Sequence, residues 1–104
     1  MARFDVYAHP DAALRRATPF LVDVQNNYID RIATRVVVPM RPAATFGPPM
    51  RDLNPVFKIE GKPMVLDTAA IAAFPAAGLS RPVASLQRES ATITSALDTL
   101  FGSY

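Results

Sequence analysis

The chain has 104 residues, half of them hydrophobic and 19% charged, which excludes a disordered polar segment and suffices for one domain, 1–104, with its own core. It contains no cysteine, so neither a disulfide nor a thiolate-bound metal is available to hold the fold. A formal net charge of +2, carried by arginines scattered singly or paired once at Arg15-Arg16, falls short of the dense cationic face that sequence-independent DNA binding requires.

Arg3 to Tyr7 alternates, with Phe4 and Val6 on one face and Arg3, Asp5 and Tyr7 on the other, which predicts a strand with one wet side. His9-Pro10-Asp11 stops it, and Ala12 to Pro19 reads as a connection with at most a short turn of helix. Phe20, Val22 and Val24 share a face and predict a second strand, with the acid Asp23 in its middle. Thr34 to Met40 carries three consecutive valines, the strongest β signal in the chain. Pro39 cannot donate to a ladder, which places it at a sheet edge, a bulge or the strand's end.

From Arg41 to Pro55 four prolines and Gly47 predict a long loop with a small β excursion around Thr45-Phe46. Val56 to Ile59 and Met64 to Leu66, joined by the turn Glu60-Gly61-Lys62-Pro63, predict a hairpin. Thr68 to Gly78 is alanine-rich, but Pro75 and Gly78 limit any helix to a turn or two, and a last short strand is placed at Ala76 to Leu79. Leu86, Ile93, Leu97 and Leu100 fall at helical spacing, with Ser85 as N-cap and Gly102 as terminator, so the chain closes on one long helix. The fold class is therefore α+β, mainly β: short antiparallel strands packed under a C-terminal α-helix. No apolar run spans a bilayer, since Ala69 to Leu79 is short and broken by Pro75. The start of the chain has an acid at Asp5 where a secretory signal needs an apolar run, so a soluble, cytoplasmic protein is expected.

Signals of enzyme chemistry are weak. The lone histidine, His9, lies beside a proline with no second metal ligand of its kind and reads as a surface turn. No nucleophilic triad or phosphate-cradling glycine cluster is present, so no catalytic residue, metal or cofactor is assigned. Asp23, if interior, needs Arg35 or a backbone N–H as partner, because an isolated buried charge is very costly. Tyr28 and Ile29 follow two asparagines; they read either as a strand end folding back into the core or as apolar groups presented to a partner. The last residues, Phe101-Gly102-Ser103-Tyr104, divide the same way, between a fraying end and a compact aromatic tip.

Phe4-Asp5-Val6-Tyr7, the run Phe20 to Asp30 containing Val22-Asp23-Val24-Gln25, the strand Arg35 to Met40, the strand Pro55 to Ile59 and the helix from Val83 onward together resemble the CcdB family. These are the toxins of CcdA–CcdB toxin–antitoxin systems. The resemblance implies a homodimer built on an SH3-like barrel of antiparallel strands, shared with the MazF ribonuclease toxins, with the long helix on the sheet. It implies a protein that binds the A subunit of DNA gyrase, traps the enzyme with its DNA cleaved, and is neutralised by a CcdA-like antitoxin. The family's target-contacting positions fall here on Tyr28 and Ile29, and on Asp98, Phe101, Gly102, Ser103 and Tyr104. The best-known members end in Trp-Gly-Ile where this chain has Gly102-Ser103-Tyr104, and Tyr104 is the ring available in place of the tryptophan. Two alternatives stand beside this reading. One is a MazF-like endoribonuclease using Arg15, Arg16 and Thr18; the other is a CcdB-like binding module that has lost gyrase poisoning.

Overall fold

The computed structural model describes residues 1–102. Seven strands form one antiparallel sheet that curls into a nearly closed barrel: β1 Asp5–Ala8, β2 Phe20–Asp23, β3 Thr34–Pro42, then, after a single helical turn α1 at Ala43–Phe46, β4 Val56–Ile59, β5 Lys62–Leu66, β6 Ala72–Pro75 and β7 Ala84–Ser85. The order is β4-β5-β3-β2-β1-β7, with β6 added on β3. The C-terminal helix enters through a 3₁₀ turn at Gln87–Glu89 and runs on as α2, Ser90–Phe101.

Strand β3, with its valine run, is the spine. One side pairs with β2 along Val37 to Met40 (Val22 opposite Val38, Phe20 opposite Met40), while the other is divided between β6 along Thr34 to Val37 and β5 along Met40 to Pro42. Pro39 sits at that division. It lies inside the strand rather than at its end, yet costs no ladder bond, because its missing N–H would point where β6 has stopped and β5 has not begun. Its carbonyl there accepts from Asp67 N–H at 2.9 Å. Pro75 is tolerated for a related reason. It faces Thr34, and the next ladder bond is made by Ala76 N–H to the Ala33 carbonyl at 2.8 Å.

Val6, Val22, Val38, Met40, Ile59 and Leu66 fill the barrel, and Ile93 and Ala96 of α2 close it. Each large side chain sealed in this way contributes about 1.5–3 kcal/mol of transfer free energy. On the opposite face Tyr7, Leu21 and Val37 are covered by Leu79 and Phe74. The expected wet side of the first strand is therefore absent at Tyr7, which is 1% exposed, because β6 and the segment after it fold across that face. Phe4 and Val6 do share the core, but Phe4 is outside the strand, in a turn with φ of 74°.

Further expectations are corrected. Thr45-Phe46 belongs to the helical turn α1 and not to a β excursion; Thr45 Oγ1 donates back to the Pro42 carbonyl at 3.3 Å. The strand expected at Ala76 to Leu79 lies at Ala72–Pro75, where Phe74 reaches the second cluster, and Ala76–Gly78 is a 3₁₀ turn. Ser85 is paired with Asp5 in β7 and is not the N-cap of α2; its hydroxyl accepts the Gln87 N–H at 3.2 Å and so starts the 3₁₀ turn instead. The expected hairpin is present, but Lys62 and Pro63 belong to β5 and not to the turn: β4 and β5 meet across Glu60 and Gly61 alone, whose φ values of 53° and 80° suit the two-residue turn that matches strand twist. Gly102, at φ 74°, ends α2 with its N–H on the Asp98 carbonyl at 2.9 Å.

Candidate functional site

Two surfaces present large apolar groups that the fold does not need. The first is the loop between β2 and β3. Asn26 Oδ1 accepts the Tyr28 N–H at 2.9 Å, and the Asn26 carbonyl accepts the Ile29 N–H at 2.9 Å, so one asparagine makes both the side-chain and the backbone turn. The result turns Tyr28 outward, 91% exposed, with Ile29 and Ile32 about half exposed. Tyr28, Ile29, Asp30, Arg31 and Ile32 line a shallow groove of about 540 Å³.

Beneath this loop lies a buried polar cluster. Arg35 Nε donates to Asp23 Oδ2 at 2.7 Å, with both side chains sealed from solvent. Asp23 Oδ1 accepts the Gln25 N–H at 2.9 Å. Gln25 in turn accepts from Val36 N–H at 2.9 Å and donates to the Ile29 carbonyl at 2.5 Å, a carbonyl that also receives Arg35 Nη1 at 3.4 Å. Burying a charge pair is costly unless its polar atoms are hydrogen-bonded, and here no buried side-chain nitrogen or oxygen of the cluster lacks a partner. Both partners named for Asp23 from sequence, Arg35 and a backbone N–H, are engaged at once.

The second surface is the end of α2. Phe101 is 70% exposed on the last helical turn, half-buried Asp98 lies on the preceding turn, and Gly102 is exposed in the left-handed conformation. Asp98 sits near the negative end of the helix dipole, an arrangement that does nothing for the helix itself. Ser103 and Tyr104 lie outside the described residues. None of the helix-end residues lines the groove of the β2–β3 loop, so the two surfaces are separate features among the described residues.

Arg15, Arg16, Pro19, Phe20, Ile59 and Met64 are among the residues around a larger groove of about 630 Å³, with Glu60 and Lys62 on its margin. Arg15 Nε donates to the His9 carbonyl at 2.8 Å, and Thr18 Oγ1 accepts from Arg41, which is itself paired with Asp67 at 2.7 Å. Arg15 and Thr18 are thus engaged in holding the β1–β2 connection. His9 is buried and not a surface turn: its Nδ1 accepts the Asp11 N–H at 3.1 Å and its ring meets Phe74 edge-on at 5.8 Å. No group of three or more metal-ligating side chains occurs among the described residues.

Sequence reasoning missed Ile32 and this larger groove. Ile32 carried a signal, as an isolated large apolar residue inside the polar run Asp30 to Thr34. The groove carried none, because its walls come from three separate stretches of the chain, around residues 15–20, 42–44 and 59–64.

A family model described as "CcdB protein" matches residues 3–102. No curated protein matches the chain. No helix among the described residues is long and apolar enough to cross a membrane.

Proposed function

The chain belongs to the CcdB family, toxins of toxin–antitoxin systems, and from that premise we propose that it binds the A subunit of DNA gyrase and traps the cleaved gyrase–DNA complex. The observation that carries this reading is the exposure of Phe101 on the last turn of α2, alongside Tyr28 presented by a hydrogen-bonded loop. Aromatic side chains on ordered supports make strong anchors, because little conformational freedom is lost when they bind. A homodimer would offer two copies of each surface about a two-fold axis, matching a two-fold symmetric target. Binding that favours the opened enzyme shifts its population toward cleaved DNA with no chemistry by the toxin. Tyr28, Ile29, Asp98, Phe101 and Gly102, continued by Ser103 and Tyr104, are the proposed contacts.

An antitoxin must also be accommodated. The groove along Phe20 and Met64 combines an apolar floor with cationic Arg15, Arg16 and Lys62, a match for an acidic amphipathic segment. The endoribonuclease alternative is disfavoured by the engagement of Arg15 and Thr18 in the β1–β2 connection.

The test mixes purified protein, gyrase, ATP and supercoiled plasmid, followed by detergent and protease. Linear DNA is expected, and Phe101→Ala should reduce it by an order of magnitude or more, the loss associated with one aromatic hot spot of about 2 kcal/mol. Unchanged plasmid with the parent protein would leave a binding module without gyrase poisoning; cleavage of bare RNA would favour the endoribonuclease.

A further inference from the structure

The carbonyl of Ile29 is an unusual acceptor: an exposed loop group that takes two side-chain donors from inside the protein, Gln25 Nε2 at 2.5 Å and Arg35 Nη1 at 3.4 Å. Neither donor is free to wander. Gln25 is fixed by Val36 N–H on its oxygen, and Arg35 by Asp23 on Nε, with Nη2 at 3.5 Å from the Gln25 carbonyl. The other flank is tied as well. Arg3 N–H donates to Asn27 Oδ1 at 2.7 Å and Arg3 Nε to the Val24 carbonyl at 3.0 Å. Phe4, in the left-handed region at φ 74°, gives the N-terminal segment its direction there and is held by its N–H on the Asp23 carbonyl at 2.6 Å. A bulky residue at positive φ persists only where its surroundings over-determine it.

We propose that Arg35 and Gln25 are positioning residues: through the Ile29 carbonyl they fix the β2–β3 loop in the conformation that presents Tyr28 and Ile29, with Arg3 and Asn27 closing the far side. The inference rests on the proposed binding role of that loop. A loop ordered before it meets its target loses less freedom on binding, so the brace acts on affinity rather than on contact chemistry. Charge alone does not explain the design. A lysine at position 35 would satisfy Asp23, but one ammonium lacks the planar fork that spans Asp23, the Gln25 carbonyl and the Ile29 carbonyl together.

Arg35→Lys and Asn27→Ala test this, the second because Asn27 is exposed and its loss leaves the core untouched. Amide hydrogen exchange is read at residues 27–33 in the free protein, and affinity and dissociation rate are read on immobilised gyrase A subunit. Val38→Ala serves as control, a core truncation that lowers stability without touching the brace. Faster exchange across the loop in both brace variants is expected, with binding weakened about tenfold through faster dissociation, while Val38→Ala shows neither change. Unchanged loop exchange in both variants, or faster exchange with binding unaltered, would overturn the proposal. If the parent protein fails to bind gyrase A subunit, the functional reading falls, and the exchange result alone then decides whether the brace exists.

Discussion

Asp23 shows how one buried residue ties sequence to surface. Its two carboxylate oxygens serve Arg35 on one side and the Gln25 backbone N–H on the other, and through these residues the loop above. Asp23→Ala would leave a guanidinium without its counter-charge in a dry site, and a loss of about 3–5 kcal/mol in urea unfolding is expected. A paired apolar replacement, Asp23→Leu with Arg35→Met, should recover much of that stability while leaving the loop unbraced. Tyr7 makes the opposite case. Its hydroxyl is buried and finds no hydrogen-bond partner among the described residues. Burial, reinforced by Asp5 and Asp23, pushes its pKa above the usual tyrosine value. The folded protein therefore holds the phenolic proton where the unfolded chain has begun to release it. The stability linked to that proton is complete below pH about 10 and declines as pH rises beyond it. Tyr7→Phe should gain about 1 kcal/mol at neutral pH by removing an unsatisfied polar group, and should flatten the alkaline decline in a pH series of unfolding curves.

At the scale of elements, local chemistry decided what local chemistry can decide. The β4–β5 hairpin was legible because a glycine-containing turn separates two apolar strands; that Glu60 and Gly61 alone make it, at two positive φ values, came from the structure. A Cβ on Gly61 would meet no atom within 4 Å, so Gly61→Ala should cost only the backbone strain of its φ of 80°, about 1 kcal/mol by thermal unfolding. Helix α2 was legible from its apolar spacing, and Ile93, fully buried, is its plug in the barrel: Ile93→Ala should destabilise by about 2–5 kcal/mol. The strand in the alanine-rich segment was misplaced for the same physical reason. Alanine and proline carry little local preference for a strand at one position over another, so the place of β6 was set by where Phe74 finds Tyr7, Leu21 and Val37.

For the molecule as a whole, the proposed activity requires surfaces that survive apart from the core. Phe101→Ala removes a largely exposed ring, so it should leave the unfolding free energy within about 0.5 kcal/mol of the parent while weakening gyrase binding by roughly an order of magnitude or more. The proposed two-fold presentation predicts sedimentation at twice the 11.3 kDa chain mass, and a variant held as a monomer should lose poisoning even with Phe101 intact. Together these measurements separate a failure of folding from a failure of recognition.

The amino-acid sequence by itself determined the β-rich class, the hairpin, the terminal helix with its glycine stop, and the family. Each depends on periodicity, turn chemistry or motif order along neighbouring residues. Tertiary structure alone decided that Tyr7 and His9 are buried, that Pro39 fits inside a strand, and that Arg35 and Gln25 meet at the carbonyl of Ile29. Those outcomes depend on which strand lies beside which, and pairing between residues distant in the chain leaves no local period to read.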